Sequence, residues 1–506
     1  MSQAVQGELK AGYRPRSAQA QRRSLMLASA RPWISAHQGF TTLLLLFLAT
    51  IPLVNPWVRG DGVGYYAYVR SLLVEHSLDF SNDWRNGNQS FTMGRVRPDG
   101  SIDPSQYTPA GHLDNHFAVG PSMLWAPFLV PVHLAVLTLQ KLGANVQANG
   151  FSRPYIVTMA LATALYGFVG LYFSFRIGRL YVEERWALLA TVGIWLASSL
   201  PVYMYFNPSW SHAHSVFVVA GFLWYWQRTR QGRTFRQWLI LGLICGLMLD
   251  VYYANIALLM IPLLESLKGY WRGWRAQGHD MPTLRRLFAA NLLFVLATLI
   301  AFLPTLITKQ IVFGHPLDFG YSGEEIWTSP TFAQLLFSSD HGLLTWTPVI
   351  IPALAGLVLL CRYDLELWIY SLGAFAAFCY VIACHTNWDG LSSFGNRFFL
   401  SLAPLFVLGL AVAFREFSRW FRGNRQAWVL ASAVTCLLIV WNLAFIFQWG
   451  NHLIPVRGPI SWRQMASNQV RVVPAQFARQ IRAYFSSRSG LMQEIEQKDL
   501  RQLKGK

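Results

Sequence analysis

Long apolar runs, set apart by short basic or aromatic-rich segments, leave this chain few ways to fold. Runs of about 15–23 residues, long enough for helical membrane spans, occur near 39–58, 155–175, 186–205, 211–227, 237–250, 252–267, 287–308, 347–361, 366–384, 398–414 and 427–447. Backbone inside hydrocarbon must satisfy its own N–H and C=O groups, so each run is expected as a helix. The expected fold is an all-α polytopic membrane protein with about 11 transmembrane helices. Charge agrees: 13% of the 506 residues are charged, against roughly 25% in soluble domains.

The net charge of +18 needs no nucleic acid to explain it. Lys and Arg collect in the cytoplasmic loops of membrane proteins, and no basic stripe interleaved with stacking aromatics stands in a soluble segment, so no nucleic-acid partner is expected. The 21 Trp and 20 Tyr suit interfacial belts facing membrane lipids. The five cysteines (Cys245, Cys361, Cys379, Cys384, Cys436) lie in or beside apolar runs without metal-type spacing. They read as small core hydrophobes, with no structural disulfide.

One further run, 118–140, is ambiguous, and charge decides it. If it crosses the bilayer, the clusters Arg176/Arg179/Arg185 and Arg228/Arg230/Arg233/Arg236 face outward, against the positive-inside rule. If it lies along the outer surface, those clusters and two other basic loops face the cytoplasm. Those loops hold Lys268, Arg272, Arg275, Arg285 and Arg286, and Arg415, Arg419, Arg422 and Arg425. The second assignment is preferred, and Pro121, Pro127 and Pro131 favour a broken interfacial helix there.

Three parts result: a basic cytoplasmic arm, 1–38; a transmembrane domain, 39–449, with a large first outer loop, 59–154; and a basic amphipathic tail, 450–506. The run after the arm is read as a retained span, not a removed signal. Pro474 to Ser487 is expected as a basic amphipathic helix, either lying on anionic lipid or simply solvated.

The outer segments hold the groups that titrate. The first loop has Asp61, His116 and Tyr65-Tyr66, the second His212 and His214. A turn carries Asp250, and later loops carry Asp340-His341 and Trp388-Asp389 with Arg397. Their concentration on one face argues for a binding or catalytic site there, and an acid at the depth of Asp250 is costly unless used or wetted. The glycines around Asp61 are expected to let the backbone turn sharply and approach a ligand. His212/His214 and Asp340/His341 supply metal donors, but no three or four have recognisable spacing. No metal or other cofactor is expected to be required, a divalent ion being the lesser alternative. No Walker or Rossmann pattern opens a helix, so a nucleotide is not expected.

Four segments carry a family resemblance: Asp61-Gly-Val-Gly-Tyr-Tyr-Ala-Tyr-Val-Arg-Ser-Leu-Leu, His116-Phe-Ala-Val-Gly-Pro-Ser-Met-Leu-Trp-Ala-Pro, Phe337-Ser-Ser-Asp-His-Gly-Leu-Leu-Thr-Trp-Thr-Pro348 and Trp388-Asp-Gly-Leu-Ser-Ser-Phe-Gly-Asn-Arg397. Their order and spacing resemble the GT-C superfamily of membrane glycosyltransferases, in particular the bacterial branch related to protein O-mannosyltransferases and lipid A aminoarabinose transferases. The resemblance implies an outward-facing site under a first loop with interfacial helices, in a bacterial inner or plasma membrane. It also implies inverting transfer of a sugar, hexosyl or pentosyl, from polyprenyl phosphate to a cell-envelope glycolipid, glycan or protein. It maps the base onto Asp61 and the donor phosphate onto His116 and Arg397, with His341 as a further donor. Tyr65, Tyr66, Asp340, Trp388, Asp389, His212, His214 and Asp250 are the expected substrate contacts. Many relatives have a second acid where this chain has His212 and His214, so a two-carboxylate or metal-assisted scheme does not carry over. A transporter or flippase of a lipid-linked saccharide is the alternative, and a non-catalytic protein of the same fold a third.

Overall fold

The computed structural model describes residues 38–276, 280–321, 323–421 and 424–504. The basic arm and Arg422 therefore lie outside the described residues. The described chain is helical, with three isolated β-bridges and no named strand. Among the described residues, six helices are long and apolar enough to cross a membrane: Gly120–Lys141, Arg153–Gly178, Met281–Phe313, Leu365–Ala383, Arg397–Ser418 and Arg425–Gly450. This is an all-α integral membrane protein.

The order begins with α1 (Gln38–Thr50) and the first-loop helices α2 (Asp61–Val74), α3 (Ser81–Arg85), α4 (Gln89–Thr92) and α5 (Gly120–Lys141). Next come α6 (Arg153–Gly178), α7 (Glu184–Leu196), α8 (His212–Thr229), α9 (Phe235–Val251), α10 (Met260–Arg275) and α11 (Met281–Phe313). Two short helices, α12 (Phe332–Phe337) and α13 (Leu343–Trp346), precede α14 (Ile350–Leu359), α15 (Leu365–Ala383), α16 (Ala403–Ser418) and α17 (Asn424–Gly450). The chain closes with α18 (Trp462–Arg471), α19 (Val473–Ser486) and α20 (Arg488–Lys504).

Not every apolar run is one clean helix. The run 186–205 ends as α7 and resumes past Pro201 as a π-turn, Val202–Phe206. Proline there withholds a backbone donor, and beyond it the Tyr205 carbonyl accepts the Asn55 N–H at 2.7 Å. The run 252–267 opens as a 3₁₀ segment, Tyr253–Leu259, before α10. Where helices cross most closely, glycine permits it: a Cβ on Gly356 of α14 would stand 1.7 Å from the Gly409 carbonyl oxygen of α16.

Ion pairs sort the loops into two groups. Arg415 meets Glu183 at 2.9 Å, Arg233 meets Glu265 at 3.0 Å and Arg362 meets Glu416 at 2.8 Å. Arg230 pairs with Asp364 and Lys268 with Glu366. The basic loops that charge alone placed on one side thus gather at one end of the bundle. Asp61, Arg397, His385, Glu324 and Asp499 pair among the remaining loops at the other.

The segment 118–140 corrects one expectation. It is a continuous helix, α5, with Pro127 and Pro131 inside it, not a broken one. The prolines stand four residues apart, so the two missing N–H donors fall on one face of the helix. It is long and apolar enough to span. Yet it packs antiparallel to the first half of α6: His133 meets Tyr155 at 2.6 Å, Trp125 donates to Thr163 at 2.9 Å and Tyr166 donates to the Leu124 carbonyl at 2.9 Å. Its first residue, Gly120, abuts the Asp250–Val251 backbone at the end of α9. It pairs with α6 as a hairpin.

Beneath α2 the first loop has its own core of Val63, Ala67, Tyr68, Phe80, Trp84, Phe91, Ile102, Leu113, Val119 and, from α11, Val312. Buried Arg70 clamps it, meeting both Asp83 carboxylate oxygens at 2.5 Å and Glu75 at 2.7 Å. A bidentate guanidinium–carboxylate pair holds geometry as well as charge.

Candidate functional site

Asp61 is the first residue of α2, with Gly60 as its N-cap at φ +53°. The sharp turn expected of the glycines is made at Gly60. A Cβ on Gly62 would lie 1.9 Å from Ser209 Oγ, and one on Gly64 2.0 Å from the Phe117 ring. Gly62 and Gly64 let α2 pack closely against Ser209 and Phe117. Only Gly60 needs glycine for its backbone.

Asp61 Oδ2 lies 2.9 Å from Arg397 Nη2. Arg397 opens the 3₁₀ segment Arg397–Leu402 that leads into α16. Trp210 links the two: its indole donates to the Arg59 carbonyl at 3.0 Å, and its ring lies 4.2 Å beneath the Arg397 guanidinium. A planar cation suits such a face. The guanidinium is buried, and among the described residues its Nε and Nη1 have no protein partner, so two of its donor atoms remain unspent beside the carboxylate.

This pair opens into a cavity of about 1080 Å³, at or above the size range of small-molecule sites, ~300–1,000 Å³. Tyr65, Arg95, His116, His212, Tyr252, Tyr321, Glu324, Glu325 and His385 line its polar part. Leu443, Ile446 and Phe447 of α17, Phe477 and Ile481 of α19, and Met492 and Ile495 of α20 line an apolar part. The tail is therefore part of the cavity wall: the apolar face of α19, expected on lipid or in solvent, turns toward the cavity. Burial, with the Asp61 charge adding to it, pushes the Tyr65 phenol up to about 12, so Tyr65 acts as a neutral hydrogen-bonding group at neutral pH.

The structure brings Asp61, Tyr65, His116, His212 and Arg397 to this cavity and leaves the other candidates outside its lining. Tyr66 is buried and donates to the Gly150 carbonyl at 2.7 Å. His214 is enclosed by Trp125 and Tyr166, with ring centroids 5.0 and 5.5 Å away. Asp250 is buried and accepts from Thr305 Oγ1 at 2.5 Å. Asp340, His341, Trp388 and Asp389 are absent from the cavity lining, although Trp388 and Asp389 belong to the loop that leads to Arg397. Tyr66, His214, Asp250 and His341 are buried, while Asp340, Trp388 and Asp389 are partly exposed away from the cavity. His341, at φ +56°, is turned so that its Nδ1 meets the Asp389 carbonyl at 2.9 Å and its ring lies 4.5 Å from Trp346.

Asp340, His341 and Asp389 do offer one donor atom each within 4.8 Å of one another. Spacing along the chain could not show this, because the third donor comes from a distant loop.

Burial lowers the His341 imidazole from 6.5 to about 4. The unfolded chain then binds more protons than the folded one between these values, so stability rises with pH across that window and is lost as pH falls through it. By linkage the folded protein is expected to lose about 2 kcal/mol from this ring between pH 7 and pH 5. Thermal midpoints of the solubilised protein against pH check this: His341→Gln should flatten the profile relative to wild type, and parallel profiles would refute it.

Residues that sequence reasoning passed over also shape the site. Arg95 lines the cavity, with its guanidinium over Phe91 at 4.5 Å and bonded to the Phe91 carbonyl at 2.8 Å. Lys309, fully buried in α11, donates to the carbonyls of Asn115 and Phe117 at 2.9 and 3.2 Å and so brackets His116. A lone lysine inside an apolar helix was a legible signal, since such a charge is retained only where something requires it.

No protein-family model matches the chain, and no curated protein matches it. Among solved structures, the crystal structure of ArnT from Cupriavidus metallidurans bound to undecaprenyl phosphate matches over 93% of this chain and 76% of that one, at 14% identity and a TM-score of 0.48. A likeness at that level carries no function across.

Proposed function

We propose that this protein is a GT-C-type glycosyltransferase that moves a sugar from a polyprenyl-phosphate donor to a cell-envelope acceptor on the extracytoplasmic face. The observation that carries the reading is the Asp61–Arg397 pair, 2.9 Å apart in the lining of a large cavity that is also lined by apolar side chains of α17, α19 and α20. An acceptor hydroxyl must lose its proton as it attacks the anomeric carbon, and a carboxylate at hydrogen-bond distance takes it. The bond from that carbon to the phosphate oxygen breaks, and polyprenyl phosphate leaves with the electron pair. Its charge needs neutralising, which the unspent donors of Arg397 supply. One displacement inverts the configuration. The apolar wall suits the prenyl chain.

On this reading His116, held 3.3 Å from Asp114, and Tyr65 orient the phosphate or sugar, and His212 contacts the substrate. It requires no metal.

The test is mass spectrometry of cell-envelope glycans and of lipid-linked sugars, with and without the gene. One glycan modification should disappear while a polyprenyl-phosphate sugar accumulates. Unchanged glycans and lipids would refute the reading.

A further inference from the structure

The tail helix α20 lies far from Asp61 in sequence, yet it holds both residues that precede it. Glu496 is buried. Its carboxylate accepts from Asn88 Nδ2 at 2.8 and 3.0 Å and from the Ser90 backbone N–H at 2.5 Å. An asparagine amide has one carbonyl and one NH₂ end. With the NH₂ turned to Glu496, Asn88 Oδ1 faces the other way and accepts the Gly60 N–H at 2.9 Å. Gly60 is the N-cap residue directly before Asp61, in a backbone conformation that only glycine holds without strain.

Arg59 is held from the same helix. It pairs with Asp499 and lies 3.8 Å from Glu496. Asp499 in turn meets His452 Nε2 at 2.8 Å. Glu496 and Asp499 stand three residues apart, hence on one face of α20. Their charge occupies the Arg59 guanidinium. Elsewhere the tail is fastened to the chain before the site: Tyr484 donates to the Leu53 carbonyl at 2.6 Å, and Arg488 to the Val54 and Pro52 carbonyls at 2.6 and 3.0 Å.

We propose that α20 belongs to the active site and that Glu496 is a positioning residue, setting Asp61 through Asn88 and Gly60. The proposal rests on Asp61 being the reactive carboxylate and goes beyond it in making the C-terminal helix necessary for turnover. Glu496 touches no reacting atom. Its loss should lower the fraction of time Asp61 spends in line without weakening donor binding.

The test uses the full-length protein in nanodiscs and compares Glu496→Ala and Glu496→Gln with wild type. Hydrogen exchange of a peptide spanning 57–64 reads the Gly60 bond directly and needs no substrate. Glu496→Ala should speed its exchange about tenfold, the loss of roughly one charge-assisted hydrogen bond, with α11 unchanged. With a polyprenyl-phosphate hexose as the donor probe, kcat should fall about tenfold at constant donor KM, and Glu496→Gln, which keeps an acceptor oxygen, should recover most of it. If Glu496→Ala does not fold, Asn88→Ala carries the same measurement with α20 intact. Wild-type exchange across 57–64, or a loss confined to KM, overturns the proposal. A wild-type protein that transfers no sugar from any polyprenyl phosphate overturns the function instead, and the exchange result still decides whether α20 holds Gly60.

Discussion

Replacing Asp61 by asparagine is expected to lower sugar transfer about a thousandfold, within the range for loss of a general base, in a protein that folds and binds donor as before. Asparagine keeps the shape and one acceptor oxygen, so the contact with Arg397 is weakened but not removed, and α2 still begins beside Trp210. What disappears is the basicity that takes the acceptor proton. The loss should therefore fall on kcat, because the missing interaction belongs to the transition state. Transfer assays with a polyprenyl-phosphate sugar, alongside binding of undecaprenyl phosphate followed by tryptophan fluorescence, separate the two quantities. Near wild-type kcat would shift the base to Glu324 or Glu325, which line the same cavity. A protein that only moved lipid-linked saccharide would show no transfer in either form.

Arg397→Ala is expected to reduce donor use at least as far, about 10³-fold in kcat/KM, with a much smaller effect on acceptor dependence. Removing a preorganised donor to developing charge typically costs ~10²–10³ in rate, and here the same change leaves Asp61 without its 2.9 Å partner. Arg397→Lys should fall between. It restores the charge but not the planar face stacked on Trp210 or the several donors that a guanidinium aims at once. Equal losses for donor and acceptor would argue against a phosphate role and for a purely structural pairing with Asp61.

Much of the architecture was readable before any coordinates. Apolar runs announce helices because a backbone in hydrocarbon has no other way to satisfy itself. The positive-inside bias grouped the loops around Arg230, Arg233, Lys268 and Arg415 at one end, where their ion pairs now hold them. Asp61, His116 and Arg397 were legible as candidates, since titratable groups beside membrane helices are few. Tyr66, His214 and Asp250 carry the right atoms in sequence, but they are buried away from the cavity. Trp210, Asn88 and Glu496 look ordinary in sequence, and their importance comes from what stands across from them.

The chain's linear pattern was enough for its helical class, its division into basic and site-bearing ends and a short roster of reactive groups, because hydropathy and charge are sums over neighbours along the chain. Which of those groups meet was left to folding in three dimensions. The Asp61–Arg397 pair, the indole beneath it and the tail helix that closes the wall come from opposite stretches of the chain. They are brought together by glycines that allow helices to touch and by buried polar bonds that must find partners.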